Sequence, residues 1–123
     1  MISSINEITF IPHRTFEGGI QTQIEMDGFG KFFISIISGG RKNGVGGSYG
    51  HIVEDFTIGG KDLSHSTFEM AIFTNDEKGN FVTHKFFQTE CNGDHVAGFL
   101  SADKVVEMLN ELALHHQLIF SQE

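Results

Sequence analysis

The sequence predicts an α+β fold: a mostly antiparallel sheet of about six to seven strands, with one C-terminal helix packed on one face. Three observations carry this. Short runs that alternate polar and apolar residues recur between residues 7 and 100, turn signals punctuate them, and a single stretch of helical spacing follows at 102–115. With 123 residues the chain is expected to form a single α+β domain over 1–123, large enough to bury a core without disulfides or metal.

Residues 7–11 alternate weakly and end at Pro12, the only proline, which removes a ladder donor and suits a strand end. Residues 16–26 alternate clearly. Ile20, Thr22, Ile24 and Met26 share one face, and Gln21, Gln23 and Glu25 share the other. Gly18 and Gly19 suggest a bend near the start of that strand. Asp27-Gly28 then reads as a tight hairpin turn. The run 29–38 is apolar on both faces, as expected of a central strand covered on both sides.

A glycine-rich connection at 39–50 divides the chain. Six of its twelve residues are glycine, and it carries Arg41 and Lys42 without an acid, on a chain of net charge −8. The second half is expected to resume with a strand at 51–58, a polar loop at 61–64, a hairpin of 65–74 with 81–88, a turn at 91–94 and a short strand at 95–100. Ser101 is a helix N-cap with Asp103 in the first turn, where the macrodipole favours an acid. Ala102, Val105, Val106, Met108, Leu109, Leu112, Ala113 and His116 recur at helical spacing, and the sheet is the surface their apolar stripe needs. Leu118, Ile119 and Phe120 are too apolar for a free tail and are expected to dock on the domain.

Composition narrows the function classes. Sixteen acids against eight bases argue against direct binding to nucleic acid. Residues 51–100 hold eight acids against three bases, so acidity belongs mostly to the second half. The single cysteine, Cys91, cannot form an internal disulfide and suits a reducing compartment. Residues 1–7 have neither the basic nor the apolar region of a secretory leader, and no apolar run approaches a membrane span. A cytoplasmic protein is expected.

The glycine stretch departs from a phosphate loop, with Val45 and Gly46 where Lys and Ser or Thr belong and a strand, not a helix, following. Its Arg41, Lys42 and Tyr49 suit a partner contact, since Arg and Tyr are favoured at interface hot spots. Glu54, Asp55, Asp76 and Glu77 would present an anionic surface to a basic partner. His51, Asp55, His65 and Glu69 form the one weak metal-ligating candidate, on paired strands of suitable register. Cys91 and His95 lack a third group that would make them a nucleophile pair. No catalytic residues and no cofactor are assigned.

The expected function is therefore that of a small acidic, non-catalytic binding or regulatory protein acting through a protein partner. Its sharper form is an inhibitor masking the basic surface of a nucleic-acid-binding protein. The alternatives are a subunit of a symmetric homo-oligomer, and a ligand- or metal-binding domain using the glycine loop or a His/carboxylate cluster.

Overall fold

The computed structural model describes residues 1–27, 32–42, 45–53, 55–57, 60–75, 78, 81–83, 90–91 and 94–120. A 3₁₀ turn at Ile5–Glu7 opens the chain. Strands β1 (Ile11–Pro12), β2 (Ile20–Met26) and β3 (Phe32–Ser38) follow, then the short pairs β4 (Arg41–Lys42) with β5 (Val45–Gly46) and β6 (Asp55–Thr57) with β7 (Gly60–Asp62). The long strand β8 (Thr67–Asn75) leads to β9 (Phe81–Thr83). A small pair, β10 (Glu90–Cys91) with β11 (Asp94–His95), precedes β12 (Ala97–Ser101), helix α1 (Ala102–Ala113) and β13 (Leu118–Phe120).

Among the described residues seven strands make the main sheet, and every pairing in it is antiparallel. Strand β3 is central, between β2 and β8, as its two apolar faces predict. Strands β1 and β13 share the outer edge of β2, while β9 and β12 share the outer edge of β8.

Register decides what each face presents. Ile24, Ile34 and Ile72 stand in one row across β2, β3 and β8, and Thr22, Ile36 and Met70 in the next. All six are buried. Branched and long apolar side chains pack well on a pleated surface, and full burial of each stabilises the fold by roughly 1.5–3 kcal/mol. The stripe Ala102, Val105, Leu109 and Leu112 of α1 covers this face, with Ile5 and Ile8 filling beside it. Ser101 caps the helix through its hydroxyl, which accepts from the Lys104 N–H at 3.1 Å. No helix among the described residues is long and apolar enough to cross a membrane.

Several local expectations change. Of the expected strand at 7–11 only Ile11 forms, as β1 with Pro12, and Glu7 instead belongs to a 3₁₀ turn started by the capping box of Ser4 and Glu7. The expected Asp27-Gly28 turn falls partly outside the described residues, and Met26 faces Phe32 where β2 meets β3. Asp27, at φ +60°, turns to the C-terminal segment. Its N–H donates to the Gln117 carbonyl at 2.7 Å, its Oδ1 accepts from the Gln117 N–H at 3.1 Å, and its Oδ2 lies 3.0 Å from His116 Nδ1. This clamp docks β13 on β2. Residues 51–53 are irregular, Asp55–Thr57 of the expected 51–58 strand forms, Glu54 and Ile58 lie outside the described residues, and the expected loop 61–64 begins as the partner strand β7. Residues 84–88 of the expected 81–88 strand lie outside the described residues.

Candidate binding face on the open side of the sheet

The sheet face opposite α1 carries the other parity of the same strands. Its rows are Gln21–Ile37–Glu69, Gln23–Ser35–Ala71 and Glu25–Phe33–Phe73. Phe33 and Phe73 stack across the strands, centroids 5.4 Å apart and planes 17° apart. Phe33, Ile37 and Phe73 are half-buried, so β3 is covered by helix on one side only. Loops wall this face into an open depression of about 660 Å³. Its floor holds Gln21, Gln23, Phe33, Ser35, Ile37 and Phe73.

One wall is the loop between β1 and β2. His13 Nδ1 accepts from the N–H groups of Thr15 (3.0 Å) and Phe16 (2.9 Å), which places the proton of the neutral ring on Nε2. The ring stacks on Phe16 at 4.4 Å. Burial holds the imidazole pKa below the ordinary histidine value. Arg14 beside it donates its N–H to Gln21 Oε1 at 3.4 Å and also lines the depression.

A second wall, joined to the first, comes from the glycine-rich connection. Arg41 exchanges two 2.9 Å main-chain hydrogen bonds with Glu17, which pins β4 to the first wall. Gly40, at φ +88°, leaves no room for a side chain: a Cβ would lie 2.6 Å from that of Phe16. Ser48 Oγ donates to the Gly39 carbonyl at 2.8 Å, and the Gly39 N–H to the Gly50 carbonyl at 3.1 Å. Tyr49 is then fixed twice. Its N–H donates to Glu69 Oε1 at 3.0 Å, and its carbonyl accepts from the Phe99 N–H at 2.7 Å. Gly47, Tyr49, Glu69 and Val96 complete the lining.

The residues singled out from the sequence fall in different places. Arg41 and Lys42 lie in β4, Tyr49 on the wall, and Glu69 at the end of the Gln21–Ile37–Glu69 row. Asp55 lies in β6 opposite Asp62. Glu54, Asp76 and Glu77 lie outside the described residues. His51 is exposed, its main chain paired with Thr67 and its ring 5.6 Å from Phe99. His65 sits in the turn before β8, so it does not share a strand face with Glu69. Among the described residues no three His, Cys, Asp or Glu side chains gather as metal ligands. Tyr49 and Glu69, assigned to different sites from the sequence, are the pair that meets.

The floor residues Gln21, Gln23, Phe33, Ser35 and Phe73 were not picked out beforehand. Their parity was visible in the sequence, but their convergence depends on register. Comparison with protein-family models, curated proteins and solved structures returned no match.

Proposed function

We propose that this is a non-catalytic binding protein that holds its ligand on the open face of the sheet. The observation that carries the reading is that one depression joins neutral hydrogen-bonding side chains (Gln21, Gln23, Ser35) to apolar ones (Phe33, Ile37, Phe73). Sites of this makeup gain affinity from apolar contact and orientation from a few polar groups. The glycine-rich connection serves as a wall that carries Tyr49. His13 Nδ1 is occupied by two N–H donors and the Glu69 carboxylate receives Tyr49, roles that position loops and call for no reaction.

Tyr49 is the only tyrosine and the chain has no tryptophan, so its emission reports directly on the site. Titration with a panel of small polar ligands is expected to change that emission saturably. Ser35→Phe, which fills the floor, is expected to abolish the response while leaving the melting temperature within a few degrees. An unchanged response in that variant would place the ligand elsewhere.

A second reading, association through a protein surface, is favoured by Phe99. It is 56% exposed at φ +52°, a conformation costly for an aromatic residue, and its ring packs against Tyr49 at 6.1 Å. A second copy of this chain is the partner proposed. Sedimentation of the wild type and Phe99→Asn tests it: a concentration-dependent dimer lost in the variant supports the reading, and a wild-type monomer at high micromolar concentration removes it.

A further inference from the structure

One titratable ring borders two depressions. His13 lines the open-face depression and also a second one of about 520 Å³, which it shares with Phe10, Ile11, Ile20 and Leu63. Its Nδ1 accepts from the N–H groups of Thr15 and Phe16, and its main-chain N–H donates to the Gly19 carbonyl at 2.9 Å. The Gly19 N–H in turn donates to the Phe16 carbonyl at 3.0 Å. These bonds close residues 13–19 into a loop that presents Phe16. The glycine-rich connection is seated on that residue. A Cβ on Gly40 would lie 2.6 Å from the Phe16 Cβ, and one on Gly47, two residues before Tyr49, would lie 3.0 Å from the Phe16 Cγ.

We propose that His13 is an acid-operated latch on both walls of the depression: the neutral ring holds residues 13–19 closed, and protonation releases them together with the connection seated on Phe16. An imidazolium carries a proton on each nitrogen and accepts no hydrogen bond. The Thr15 and Phe16 N–H groups would then lose their acceptor and face a third N–H. The other two bonds that close the loop join main-chain groups, which do not titrate. Charged and titratable groups on the surrounding elements are Arg14 and Glu17 in the same loop, Arg41 on the connection, and Tyr49 and Glu69 elsewhere on the lining. The second depression adds none. Burial is the cause that holds the ring's pKa below 6.5, so the closed loop is favoured near neutrality and is lost as pH falls from 6.5 through the folded value. For the binding reading above, on which this consequence alone rests, the latch means uptake near neutral pH and release in acid. The latch itself needs no ligand.

The test compares the ligand-free wild type, His13→Asn and His13→Phe from pH 8 to pH 5. Asparagine at this position can accept from the N–H groups two and three residues on and does not titrate, whereas phenylalanine supplies no acceptor. Ring-nitrogen spectra of the wild type should show the Nε2–H tautomer at pH 8. Amide protection at Thr15 and Phe16 should fall about tenfold by pH 5, as each loses its hydrogen bond. His13→Asn should keep that protection at both ends of the range, and His13→Phe should lack it at both. Tyr49 emission should change with the wild-type protection. It is read as the difference between wild type and His13→Asn, because His51 approaches Tyr49 through Phe99.

An Nδ1–H tautomer at pH 8 overturns the latch, and so does an equal loss of protection in wild type and His13→Asn. Loss of protection at Thr15 and Phe16 with no difference in Tyr49 emission overturns its hold on the second wall. None of these outcomes touches the binding reading, which ligand titration decides separately.

Discussion

The Tyr49 N–H donates to Glu69 Oε1 at 3.0 Å, across twenty residues of chain. This bond joins the glycine-rich connection to the central region of the sheet. It makes Glu69 an anchor for one wall of the depression as well as part of its lining. Glu69→Ala is expected to cost about 1–2 kcal/mol, since it leaves a half-buried N–H without its acceptor. Glu69→Gln should retain most of that stability. Denaturant midpoints of the two variants, with amide exchange at Tyr49, separate the outcomes: faster exchange in the alanine variant only is the expected pattern.

The glycines of this region differ in what they contribute. A Cβ on Gly50 would lie 2.6 Å from the Thr67 carbonyl oxygen, a main-chain atom of β8 that cannot rotate away. Gly50→Ala should therefore cost about 2–3 kcal/mol, as overpacking does. Gly18 has no atom within 4 Å of a Cβ, but its φ is +78°. Gly18→Ala should cost only about 1 kcal/mol, the left-handed penalty alone. Urea unfolding of both variants checks the order, and the reverse ranking would contradict the packing described at Gly50.

How much of this was legible in the sequence depended on whether a feature was local. The parity of residues 20–26, the Ser101 cap and the stripe of α1 are set by neighbouring residues, and each formed as expected. The capping box of Ser4 and Glu7 was equally local but competed with weak alternation in the same stretch, and it won through hydrogen bonds to main-chain N–H groups. The candidate site was hidden because Gln21, Ile37 and Glu69 become neighbours only once two registers are set. No spacing along the chain encodes that. Likewise, the density of glycine does not say which positions need it, and the structure shows that Gly40 and Gly50 mark close approaches.

His13 makes the first wall sensitive to pH. Its folded pKa lies below the ordinary value of 6.5 through burial, and its neutral Nδ1 accepts two main-chain N–H groups. The unfolded chain therefore binds a proton at this ring before the folded chain does. Its stabilising contribution is full above pH 6.5 and is lost as pH falls from there through the folded pKa. His13→Phe, which keeps a ring beside Phe16, should be less stable than wild type at pH 8. It should also lose less between pH 8 and pH 5. A wild-type and variant difference that stays constant over that range would show that the imidazole does not titrate across folding.

A second titration should appear at lower pH, from the tie between the N-terminal turn and β7. Asn6 Nδ2 donates to Asp62 Oδ1 at 2.8 Å, the Ser64 N–H donates to the same oxygen at 2.9 Å, and Asn6 Oδ1 accepts from the Leu63 N–H at 2.9 Å. The Asn6 bond, followed by those from Ser64, holds the Asp62 carboxyl at a pKa of about 2 against an ordinary 3.8. The sign is opposite to that of His13: the carboxylate form is favoured by folding. Its contribution is complete above pH 3.8 and is lost as pH falls through about 2. Asp62→Asn preserves an acceptor but not the charge, so it should flatten the wild-type loss of stability between pH 4 and pH 2. Asn6→Ala should flatten the same limb, because it removes the largest cause of the shift. Equal acid slopes in all three proteins would show that this tie does not depend on the ionised carboxylate.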